Sequence, residues 1–187
     1  MKNSKKRRVK FLNLIDSAQK QRELSQVFSK VFSKGIFILG SEVKNFEENF
    51  ARYLKVKYCI GVANGQEALQ IALMSLGIRR GDEVITTPIS AVATTLAILA
   101  VGARPIFVDI LENGLINLDL ISAAITEKTK AIIPVHLYGN PAQIDKIKNI
   151  CESNRLFLIE DAAQAHGSAF KGRKLGTFGD LGCFSFY

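Results

Sequence analysis

From residue 58 onward, short apolar runs alternate with segments of helical pattern, and this alternation restricts the possible folds more than any other feature of the chain. The series runs "YCIGVA", a helix to Leu76, "EVITT", a helix over 91–101, "RPIFVDI", a short helix near Leu120, "AIIPVH", a helix over 142–152 and "LFLIED". Strands that are apolar on both faces and separated by helices imply an α/β fold with a mostly parallel sheet flanked by helices and right-handed crossovers. Two further elements follow: a turn or hairpin around Gly172 in "FKGRKL", and a strand in "LGCFSFY". Two helices precede the series. One spans 17–34, and the other is "GSEVKNFEENFARYL", with Ser41 as its N-cap and Val43, Phe46, Phe50 and Leu54 on one face.

Composition narrows the class. With 48% hydrophobic and 22% charged residues in 187, the chain has the apolar mass for one globular core and too little charge for disorder. The net charge of +8 suggests an acidic partner until it is located: Lys2, Lys5, Lys6, Arg7, Arg8 and Lys10 supply six positive charges, leaving +2 for the other 177 residues. A solvated basic arm over 1–10 followed by one unit over 11–187 is the expected organisation. No aromatic interleaving or nucleic-acid motif accompanies the arm, so no nucleic-acid partner is expected. No uncharged apolar stretch is long enough for a membrane span, and the basic start is not followed by a signal-peptide core. Cys59, Cys151 and Cys183 are far apart, which indicates reduced, mostly buried thiols, no metal site and a cytoplasmic location.

In parallel sheets ligands collect at the carboxyl ends of strands. Four such places carry chemistry here. In "GVANGQEALQIAL" a strand ends and Asn64 is placed to cap a helix, so the N–H groups of Gly65 and Gln66 would face a phosphate, or simply begin an ordinary capped helix. Neither G-x-G-x-x-G nor a Walker lysine is present. In "LFLIEDAAQAHG" an apolar strand delivers Glu160 and Asp161. Alternation allows only one of them into a given crevice, as a helix cap or as the partner of a cationic ring nitrogen, and Gln164 lies a turn further on as a neutral donor. In "TTPISAVATT" Pro88, Ser90 and small side chains open a helix, leaving room for a flat ligand or for close packing. In the last strand Ser185 lies between Phe184 and Phe186. Its hydroxyl should oppose both rings and meet either a phosphate oxygen or the backbone.

Taken together and in order, "FILGSEVKNFEENFARYL", "GVANGQEALQIAL", "GDEVITTP", "VHLYGNPAQID", "IEDAAQAHGSAFKGRKLG" and "GDLGCFSFY" resemble the DegT/StrS-type family of pyridoxal-phosphate-dependent sugar-nucleotide aminotransferases, from Val9 to Tyr187. The resemblance implies the partial large domain of an aspartate-aminotransferase-like fold, in a homodimer with shared active sites. It also implies pyridoxal 5′-phosphate as cofactor, its phosphate at Asn64, Gly65, Gln66 and Ser185, its ring nitrogen on Asp161 and its ring hydroxyl near Gln164. An anion beside that nitrogen keeps it protonated, so the ring can accept electrons from the substrate carbon. The implied reaction passes an amino group from an amino acid, commonly glutamate, to a keto-sugar nucleotide.

Two departures from the family pattern qualify these implications. Many members stack an aromatic side chain on the ring where this chain has Ala91, although some that aminate the sugar 3-position carry small residues there. The family's catalytic lysine, which carries the resting cofactor and moves the substrate proton, follows the stretch matching "FSFY". It is therefore expected beyond Tyr187, and no catalytic residue is assigned within the chain. Lys171 and Lys174 match other family positions. The expectation is an aminotransferase by descent that does not turn over as this chain alone and whose sheet is incompletely covered. The alternatives are a sugar dehydratase relative using the aminated cofactor, a non-catalytic regulator or split-gene partner, and a dinucleotide-binding module, which the missing glycine fingerprint disfavours.

Overall fold

A computed structural model describes residues 17–187, so the basic arm expected over 1–10 lies outside the described residues. Two compact units are present among the described residues, 17–50 and 51–187. In the first, helix α1 (Ala18–Lys34) starts where the Ser17 hydroxyl accepts a bond from the Lys20 N–H at 3.2 Å and stops at Gly35, whose φ of 66° ends the helix. None of its side chains is buried. Helix α2 (Ser41–Leu54) begins one residue earlier than expected. The carbonyl of Gly40 accepts from Val43 and Lys44, which makes Ser41 the first helical residue rather than the cap. Its buried residues are Ala51 and Leu54, and Phe46 of the expected apolar face is exposed.

The second unit contains the sheet. Strands β1 (Glu83–Thr86), β2 (Arg104–Phe107), β3 (Thr129–Ile132), β4 (Phe157–Asp161) and β7 (Leu181–Cys183) run parallel in the order β2-β1-β3-β4-β7. Helices α3 (Gly65–Ser75) and α4 (Val92–Ala100) cover one face. There Leu69, Leu73, Ala97 and Ile98 pack with Val84, Ala131, Ile159 and Cys183. Helices α5 (Leu118–Ala124) and α6 (Ile144–Asn154) contribute to the opposite core, where Ile121, Ile144 and Ile147 meet Ile85, Ile132 and Leu158. Consecutive residues such as Val84 and Ile85 enter opposite cores, so the strands are apolar on both faces. The short strands β5 (Ala169–Phe170) and β6 (Arg173–Lys174) form the antiparallel hairpin expected around Gly172. Its two turn residues, Lys171 and Gly172, have φ of 49° and 78°, as a tight two-residue hairpin turn requires.

Two expected strands change. Residues 58–63, "YCIGVA", lie outside the sheet, whose edges are β2 and β7, and Tyr58 and Ile60 are largely exposed. An apolar run becomes a strand only when a ladder partner is available. The final strand is shorter than "LGCFSFY": β7 ends at Cys183, and Ser185 follows it outside the sheet.

Candidate functional site

Four segments converge at the carboxyl ends of β1, β4 and β7. The start of α3 comes first. Asn64, in extended backbone conformation, accepts from the Glu67 N–H at 2.9 Å and caps the helix. The N–H groups of Gly65 and Gln66 are thus at the helix start, where no intrahelical acceptor exists and the helix dipole is positive. Ser185 lies directly against this start. A Cβ built on Gly65 would be 2.7 Å from the Ser185 Cβ and 3.1 Å from its hydroxyl, so the close approach requires glycine. Two segments 120 residues apart in sequence therefore bring two backbone donors and a hydroxyl to one place.

The alternation expected around Ser185 holds although the strand has ended. The rings of Phe184 and Phe186 both contact His166, with centroids 5.5 and 4.7 Å away, while Ser185 takes the other side towards Gly65.

Glu160 and Asp161 separate to opposite faces of β4. Glu160 is fully buried and accepts from the N–H groups of Gly176 at 2.8 Å, Phe178 at 2.5 Å and Gly179 at 2.8 Å. It also meets His136 Nε2 at 3.0 Å. Because His136 Nδ1 accepts from the Ala142 N–H, Nε2 carries the ring proton and donates it to Glu160. Burial alone would raise the Glu160 pKa, but these donors bring it below the ordinary carboxylate value. Every partner of Glu160 is part of the fold, so its role is to hold the 176–179 turn.

Asp161 has a different environment. It is 4% exposed, Oδ2 accepts from the Thr94 hydroxyl at 2.7 Å, and Oδ1 accepts from the Ala163 N–H at 3.2 Å. Burial raises its pKa and the two donors offset this only in part. No lysine or arginine among the described residues forms an ion pair with it. A buried carboxylate of this kind is relieved by a cation brought beside it.

Gln164 lies on the loop after β4. Its Oε1 accepts from the Tyr138 N–H at 2.9 Å, so its amide NH2 remains to donate elsewhere. Tyr138 adopts the left-handed region, φ 53° and ψ 26°, to make this contact. Ala91 is the residue before α4 and makes no side-chain cap bond. Lys171 pairs with Asp145 at 2.6 Å, and the Lys174 ammonium lies 3.5 Å from the centre of the Tyr53 ring.

Two residues important to this geometry were not singled out from the sequence, Thr94 and Tyr138. Thr94 follows Ser90 by four residues, a spacing that signals a shared helical face, but nothing in the sequence pairs it with Asp161.

These residues fit pyridoxal phosphate in kind: helix-start donors and a hydroxyl for an anion, and a buried acid for a protonated ring nitrogen. Comparison with known proteins places the chain in a family. The model of the DegT/DnrJ/EryC1/StrS aminotransferase family matches residues 18–187. A dTDP-3-amino-3,4,6-trideoxy-alpha-D-glucose transaminase of Micromonospora megalomicea subsp. nigra is 44% identical over 175 residues, covering 93% of this chain and 47% of that protein. The crystal structure of S. venezuelae DesV in complex with a ketimine intermediate superposes with a TM-score of 0.88 at 39% identity, over 90% of this chain and 46% of that one. NtdA from Bacillus subtilis with bound cofactor PMP gives a TM-score of 0.82 at 34% identity, over 92% and 41% of the two chains. The chain thus spans about half the length of the curated relatives it matches.

Proposed function

Because this chain belongs to the DegT/DnrJ/EryC1/StrS aminotransferase family, we propose that it provides the cofactor-binding part of a pyridoxal-phosphate-dependent enzyme that moves an amino group from an amino acid, glutamate, to a keto-sugar nucleotide. The observation that carries this reading is Asp161, a buried carboxylate with raised pKa, no cationic partner among the described residues and a position at the end of a parallel strand. When bound, pyridoxal phosphate supplies the electron sink for the bonds at the amino-bearing carbon. The Asp161 carboxylate holds the proton on the ring nitrogen. Gly65 and Gln66 N–H groups and the Ser185 hydroxyl bind the phosphate, Asn64 fixes the helix start that presents them, and the Gln164 NH2 donates to the ring hydroxyl. Ala91, the residue before α4, would leave room beside the ring without stacking an aromatic side chain on it.

The apolar stripe of Val92, Leu96 and Leu99, exposed on α4, supports a homodimer in the complete protein. Three free thiols are in keeping with a cytoplasmic location. No helix among the described residues is long and apolar enough to cross a membrane.

Titration of the chain with pyridoxal phosphate, followed by the absorbance and retention of the cofactor, tests the reading. Asp161→Ala is expected to weaken binding roughly 10- to 100-fold, the loss of one hydrogen bond to a charged group. Equal binding by the variant would refute the assignment. In the same mixtures borohydride should leave Lys171 and Lys174 unmodified, since Asp145 and the Tyr53 ring engage them. A stoichiometric adduct on either would make that residue the catalytic lysine.

A further inference from the structure

Asp161 is held by a chain of hydroxyl groups whose direction the geometry determines. Thr94 Oγ1 is 2.7 Å from Asp161 Oδ2, and Ser90 Oγ is 2.8 Å from Thr94 Oγ1. A carboxylate oxygen only accepts, so the single Thr94 proton goes to Asp161. Thr94 Oγ1 is then left as an acceptor, and Ser90 must be the donor to it. Thr94 is 1% exposed and Ser90 is half-buried, so the chain runs from the rim of the segment before α4 into the core. The other carboxylate oxygen is held by the Ala163 N–H at 3.2 Å. Together these bonds fix the plane of the carboxyl group from two directions.

We propose that Thr94 is a positioning residue of the cofactor site, and that the Ser90 to Thr94 to Asp161 chain orients the Asp161 carboxylate towards the ring nitrogen and keeps it ionised. This rests on the reading that Asp161 meets that nitrogen. Chemistry supports a role beyond packing. Valine would fill the same volume in the α4 core without placing a hydroxyl in an apolar layer, so a buried threonine here is explained by the acceptor it serves. A hydrogen bond donated to the charged form favours ionisation against the burial that opposes it. The other titratable groups around Asp161 are Glu160 next to it on β4, His136 after β3 and Cys183 on β7. Glu160 and His136 are already bound to each other, and Cys183 is a buried thiol, so the hydroxyl chain is the side-chain element that bonds the carboxylate directly, beside the backbone N–H of Ala163.

Two measurements on the full chain test this. In the first, the carbon NMR signal of the Asp161 carboxyl group is titrated without cofactor in wild type, T94V, T94S and S90A. The midpoint should move upward in T94V, return to the wild-type value in T94S, and move upward less in S90A. In the second, the affinity for pyridoxal phosphate is divided by that for its analogue with CH in place of the ring nitrogen. The wild type should prefer the natural cofactor, T94V should lose about tenfold of that preference, and T94S should retain it. An unmoved midpoint together with an unchanged preference in folded T94V would overturn the proposal. If T94V does not fold, S90A carries the test, and a midpoint that stays in place there overturns it. A wild-type chain with equal affinity for both compounds overturns the ring-nitrogen reading instead, and the carboxyl titration still decides the hydroxyl chain.

Discussion

An added Cβ on Gly65 would be 2.7 Å from the Ser185 Cβ, inside the range that real contacts avoid, and this single clash explains the glycine. Gly65 is the first residue of α3 and needs no unusual backbone angle, so the constraint is purely one of space. Gly65→Ala is therefore expected to cost about 1–3 kcal/mol of stability by forcing two segments apart and to weaken phosphate binding at the same time. Urea unfolding of G65A, S185G and the double variant checks this. The double variant should recover much of the loss, because its two sites share one contact, and simple additivity would show the clash to be unimportant. The adjacent acids on β4 make a complementary point. Glu160 is surrounded by donors and Asp161 is not fully compensated, although neither the strand pattern nor the residue type distinguishes them.

At the scale of elements, the start of α3 is where local sequence and the proposed ligand chemistry coincide. Asn64 accepts from the N–H three residues on, which stabilises the helix and directs the next two N–H groups outward. Asn64→Ala should lower stability by about 1 kcal/mol, while Asn64→Asp or Asn64→Ser should restore most of it. Thermal unfolding measures the difference. The same change should weaken cofactor retention if the helix start frays, and retention unchanged beside a full loss of stability would separate the two roles. The 58–63 segment shows the opposite case. Its residues have strand character, but the sheet ends at β2 on one side and β7 on the other, and the segment lies outside it with Tyr58 and Ile60 largely exposed. β-propensity describes a fit to a half-buried pleated surface, and this segment is not part of the sheet that would provide one.

Across the molecule, the two buried carboxylates of β4 give stability opposite dependences on pH. Glu160 has a folded pKa below its unfolded value, so its contribution is present above the ordinary carboxylate range, about pH 4.3, and is lost as pH falls through the folded value. Asp161 has a raised folded pKa, so its ionisation penalises the cofactor-free fold as pH rises, and acidification removes that penalty first. Glu160→Gln should accordingly lower the unfolding temperature most near neutrality, with the gap to wild type closing below about pH 4. Calorimetric scans across that range check it, and a gap independent of pH would mean that the Glu160 charge is not what holds the 176–179 turn.

The parallel sheet, its helical cover, the hairpin at Gly172 and the capped start of α3 were legible in the sequence because each depends on local periodicity or on residues a few positions apart. So was the order of motifs that identifies the family. What only the tertiary structure decided depends on contacts between distant segments: the close approach of Ser185 to Gly65, Thr94 on Asp161, Tyr138 on Gln164, and the hydrogen bonds that tie Glu160 to the 176–179 turn. Local propensities act over one turn or one pleat, whereas these contacts are set by which strands become neighbours in the sheet and which face each residue then presents.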